Sequence, residues 1–121
     1  TLFPPTIGTG ITGTYSATSP TLVAASITNV VPTTATRINI LANMNWKSAG
    51  LSSIQVAPSQ SYSGVNNGPN GSVGMTYPIH GTGISAGTNI GAWMTLEGTD
   101  ISWAADAAGG AIACLGWEDN I

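Results

Sequence analysis

The side chains of this chain best suited to chemistry are five carboxylates, one histidine and one cysteine. Glu97, Asp100, Asp106, Glu118 and Asp119 are the stock from which a glycosidase-type acid/base pair would have to be drawn, because that reaction needs two carboxyl groups flanking the scissile bond. Gly98–Asp100 and Asp106–Gly110 read as turns, where acids are common, so no pair stands out. Gly83-Ile-Ser85-Ala-Gly87 fits the G-x-S-x-G pattern that exposes a nucleophilic serine. His80 precedes Ser85, whereas the hydrolase order requires a histidine after it, and the sequence contains no other. Gly8-Thr-Gly10-Ile-Thr-Gly13 matches the dinucleotide fingerprint G-x-G-x-x-G, but Phe3-Pro4-Pro5 stands where a buried strand should precede it. Cys114 is the single cysteine, which excludes an internal disulfide and a cysteine-cluster metal site. It reads as a small buried hydrophobe. The expectation is a chain without catalytic residues, cofactor or metal.

Recognition is the other chemistry on offer. A sugar-binding surface needs a flat apolar ring beside amide or carboxylate partners, and Trp93, Tyr62 and the amides Asn66, Asn67 and Asn70 meet that description. Trp93 also suits a subunit interface, where tryptophan is enriched. Asn70-Gly71-Ser72 forms a glycosylation sequon, relevant only in a eukaryotic secretory setting.

Composition narrows the partners. Only 6% of residues are charged, against about 25% in an ordinary soluble domain. Arg37 and Lys47 are the only permanent cations in a chain of net charge −3, too few for a phosphate-neutralising patch, so nucleic acid is excluded as a direct partner. No apolar run approaches the ~20 residues of a membrane-spanning helix, so membrane insertion is not expected. The hydrophobic content of 42% is enough for one core, and 121 residues fit one domain. The start at Thr1 reads as a processed protein or the end of a longer polypeptide.

The elements that would position these groups are strands. From Arg37 to Lys47, Ile38, Ile40, Ala42, Met44 and Trp46 share one parity and polar residues share the other, a period of two with Leu41 as the exception. Asn89–Glu97 repeats the pattern, with Ile90, Ala92, Met94 and Leu96 on one side and Trp93 on the other. Shorter runs at Ile11–Ala17, Leu22–Val30, Ser53–Ala57, Val73–Tyr77, Thr99–Ala104 and Ala111–Trp117 are bounded by turn residues. Ser59–Ser72, with two Asn-Gly steps, is expected to be an exposed loop. The predicted class is all-β: an antiparallel β-sandwich, a jelly roll of about eight strands, with little or no helix. Residues 1–13, with Phe3, Pro4 and Pro5 as a docking arm, form an N-terminal arm or linker, and 14–121 form the single jelly-roll domain. So few charges leave the sheet edges unprotected, and burial in a symmetric assembly would cover them.

Two segments carry a resemblance. Ser16-Ala-Thr-Ser-Pro-Thr-Leu-Val-Ala-Ala-Ser-Ile-Thr, followed by Val31-Pro-Thr-Thr-Ala-Thr-Arg-Ile-Asn-Ile-Leu-Ala-Asn-Met-Asn, resembles the opening strands of small jelly-roll domains in bacteriophage virion-surface proteins. Ala111-Ile-Ala-Cys-Leu-Gly-Trp-Glu-Asp is similar to their closing strand, while Gln60 to Asn89 matches nothing in them. The resemblance covers about half the chain. It implies a tumour-necrosis-factor-like jelly roll, commonly a homotrimer, on a capsid exterior or at the tip of a tail fibre, and it brings no catalytic residues.

The expected function is therefore a non-enzymatic virion structural protein at the virion surface. It would self-associate, contact capsid or fibre proteins and touch host surface glycans through its loops. Two alternatives stand beside it: a bacterial carbohydrate-binding module or lectin, and a secreted pilus or filament subunit that donates its N-terminal strand to the next subunit.

Overall fold

The computed structural model describes residues 5–16, 18–44, 50–64, 72–79, 88–106 and 110–119. They form eight strands: β1 (Thr6–Thr9), β2 (Val23–Ser26), β3 (Ala35–Met44), β4 (Gly50–Ala57), β5 (Val73–Ile79), β6 (Thr88–Thr95), β7 (Asp100–Ala105) and β8 (Ala111–Asp119). No helix occurs among the described residues. Two antiparallel four-stranded sheets result, sheet I in the order β1-β8-β3-β6 and sheet II in the order β2-β7-β4-β5. Only β4 and β5 are consecutive strands paired with each other; every other connection changes sheet. Eight strands wound in this way are a jelly roll.

The period-two patterns account for the core. Ile38, Ile40 and Ala42 of β3, Met94 of β6, and Ile112 and Cys114 of β8 face inward from sheet I. Ile54 and Val56 of β4 and Ile101, Trp103 and Ala105 of β7 meet them from sheet II, and Ile27 and Val31 join the same cluster from beyond the end of β2. Each fully buried isoleucine contributes roughly 1.5–3 kcal/mol relative to an exposed one.

Two expectations are corrected at the N-terminus. Within the supposed arm, Thr6–Thr9 is an edge strand paired with β8, and the Cys114 N–H donates to the Pro5 carbonyl at 2.9 Å. Gly8 is needed there, because a Cβ at that position would run into the Trp103 indole. The predicted strand Ile11–Ala17 is replaced by isolated bridges, Thr12 with Ala105 and Thr14 with Thr21. The reason is Gly13, whose φ of 59° lies in the left-handed region and breaks the extended run. The stretch then turns back across sheet II, where a Cβ on Gly13 would collide with the Thr21 carbonyl.

That crossing segment makes sheet II unusual. Ser53, Gln55 and Ala57 of β4 and Ser102 and Ala104 of β7 occupy the outward parity, yet all are buried. Leu22, Ala57 and Ala104 form a small second cluster, with Tyr62 packed against it.

Candidate functional site

Two surfaces carry the side chains singled out above, one on each sheet. On the outer face of sheet I, alternation along β6 turns Trp93 outward opposite Asn39 of β3, which in turn pairs with Gly116 of β8. Trp93 is 44% exposed. A register irregularity between Asn39 and Ile40 places Leu115 out of the ladder on β8, and it is 48% exposed. Gly91, on β6, lies under Leu115: a Cβ there would sit 3.7 Å from the leucine Cδ1. The Arg37 guanidinium stands 4.9 Å from the centroid of the Trp93 ring, and its Nη1 donates to Glu118 Oε1 at 2.8 Å. An exposed pair of this kind is worth at most about 1 kcal/mol, so it orients Arg37 over the indole more than it holds the fold. Trp117, further along β8, is also exposed.

The second surface lies on the outer face of sheet II. A cleft of about 300 Å³ opens between the β6–β7 turn, the residues that follow β4, and the outward face of β2 and β7. Glu97 and Asp100 contribute carboxylates, Ser59 and Gln60 contribute a hydroxyl and an amide, and Ser102 lies in the floor beside Ala24, its register partner. The Tyr62 hydroxyl donates a short hydrogen bond to Glu97 Oε2. That bond, then desolvation and the repulsion of the Glu97 charge itself, raises the phenol above its ordinary value near 10. The Gln60 Nε2 donates to the Leu22 carbonyl at 3.1 Å, tying this wall to the start of β2.

Tyr62 and Trp93 therefore belong to opposite sheets and do not form one site. Asn66, Asn67, Asn70, Phe3, Pro4, His80 and Ser85 lie outside the described residues. The five carboxylates are dispersed: Glu97 and Asp100 to the cleft, Glu118 to Arg37, Asp119 to the Thr34 hydroxyl at 3.0 Å, and Asp106 to the Ser53 N–H at 2.8 Å. Burial pushes the Cys114 thiol up, partly offset by a hydrogen bond with the Gly116 backbone. Sequence reasoning missed Ser59, Gln60 and Ser102 as a group. The Glu97-Gly98-Thr99-Asp100 turn was the available signal, since it sets two acids on the rim of one loop.

No protein family matches the chain, and no curated protein is similar to it at a significant level.

Proposed function

We propose that this chain is a non-enzymatic structural protein of a virion surface, a jelly roll that assembles as a homotrimer and decorates a capsid or caps a tail fibre. The observation that carries the reading is the outer face of sheet I. Trp93 and Leu115 stand outward there and, among the described residues, no segment crosses over them, while the opposite sheet is covered by the chain's own residues. Aromatic residues with arginine are the composition of interface cores, and Trp93 under Arg37 is such a pair. The low charge supports the same reading, because edge strands β1, β6, β2 and β5 have few charged residues to discourage pairing with other chains. The donated-strand alternative is less favoured, since Thr6–Thr9 already completes the chain's own sheet beside β8.

The test is the mass of the purified protein by light scattering. The expected value is three times the chain mass, falling to the monomer in Trp93→Asp and Leu115→Asp variants that keep the β-sheet circular dichroism of the parent. A parent chain that stays monomeric at high concentration overturns the assembly. If the protein is absent from the surface of purified virions, as read by labelling with an antibody against it, the virion assignment falls.

A further inference from the structure

We infer that the cleft on the outer face of sheet II is a binding site for an uncharged saccharide. Its volume of about 300 Å³ lies at the small end of ligand pockets, which suits a single sugar ring or the end of a glycan. Its wall is rich in acceptors. Glu97 and Asp100 bring carboxylate oxygens, and the Gln60 amide, whose nitrogen donates to the Leu22 carbonyl, lines the same wall. Sugar hydroxyls are the donors that such a wall recruits, and a hydrogen bond to a charged acceptor is the strong kind. Tyr62 holds Glu97 through Oε2 and leaves Oε1 for a ligand, so one rim carboxylate is already oriented.

The floor points to a ligand independently of the acids. Ser102 is 1% exposed, lies on the cleft side of β7, and its hydroxyl has no hydrogen-bond partner among the described residues. A buried hydroxyl without a partner is costly, and a ligand hydroxyl would supply one. Pro58 adds an apolar flank for the C–H face of a ring.

Charge selects within the class. Among the described residues no cation lines the cleft, and Arg37 is committed to Glu118 and Trp93 on the opposite sheet, so an acidic sugar would meet the carboxylates of Glu97 and Asp100 with no described counter-charge beside them. A metal ion is a poorer match, because no group of three or more His, Cys, Asp or Glu among the described residues is placed to hold one. This inference does not rest on the assembly reading, which concerns the other sheet.

The experiment is saturation-transfer NMR on the full chain with methyl glucoside, methyl galactoside, methyl mannoside and N-acetylglucosamine at tens of millimolar, beside N-acetylneuraminic acid and calcium chloride. At least one uncharged sugar should bind, with and without EDTA, and N-acetylneuraminic acid should not. Asp100→Ala and Glu97→Ala should each weaken binding about tenfold, and Ser102→Ala about fivefold, with an unchanged thermal midpoint for Asp100→Ala and a folded β-sheet circular dichroism for all three. Trp93→Ala should leave sugar binding as it is, whatever it does to the assembled mass. Failure of all four uncharged sugars overturns the inference. So does sugar binding that survives all three cleft substitutions, binding of the acidic sugar in preference, or calcium binding with none of sugar.

Discussion

The two outer faces of the sandwich contrast sharply. Sheet II is roofed by its own chain: residues 12–16 and 18–22 cross it, the Gln55 side chain grips Ser16 from below, and Tyr62 packs against Leu22, Ala57 and Ala104. Gln55 is 0% exposed and makes three hydrogen bonds, accepting from the Ser16 N–H at 3.2 Å and donating to the Ser16 carbonyl at 2.9 Å and to Ser72 Oγ at 2.7 Å. Among the described residues, sheet I has no comparable roof over Trp93 and Leu115. Identical alternation thus leads to opposite outcomes: a polar outward row becomes interior where a loop returns over it, and an aromatic outward row stays at the surface where none does.

The contrast breaks most decisively at Gln55. Gln55→Leu keeps the volume but strands the Ser16 and Ser72 groups under the roof, and should cost about 3 kcal/mol, read from the urea midpoint. A loss below about 0.5 kcal/mol, the range of an ordinary surface substitution, would mean that the crossing segment is not held in this way. Arg37→Ala on the open face should cost less than about 1 kcal/mol, because the pair with Glu118 is exposed. A larger loss in the unassembled chain would erase the difference between the faces. The smallest effect is the titration of Tyr62. Its phenol is raised in the folded chain, so the Glu97 bond stabilises fully below the ordinary value near 10, and the contribution fades as pH rises through the higher folded value. The absorbance titration of the parent minus that of Tyr62→Phe should therefore have its midpoint above free tyrosine, and Glu97→Gln should bring it down.

Much of the sandwich was legible in the sequence, and the reasons are local. Ile38, Ile40 and Ala42 alternate with polar neighbours, and all three are fully buried; Trp93 sits on the opposite parity to Met94 and faces out. Cys114, read as a small hydrophobe, is buried in β8. What failed was tertiary. Ser53, Gln55 and Ser102 look like a solvent face in any local window; the return of a segment some forty residues distant in sequence, at Ser16, covers Gln55, and Asp106 meets Ser53. β1 was hidden for a different reason: a four-residue edge strand needs few bonds, and its Gly8 serves the Trp103 ring, which lies far away in sequence. The sugar cleft shared this fate, since its serines and glutamine meet only when β2, β7 and the residues after β4 come together.

The strand order also sets a timetable. β8 lies between β1 and β3, so sheet I cannot be continuous before β8 has been synthesised. Until then β1 has no neighbour and β3 pairs on one side only, whereas every strand of sheet II precedes β8 in the chain. Because domains are made from the N-terminus at roughly 5–20 residues per second, the nascent chain spends seconds with half of its sandwich open. Closure of sheet I therefore waits for β8, and a chaperone that shields the inward side of β3 would act in that interval.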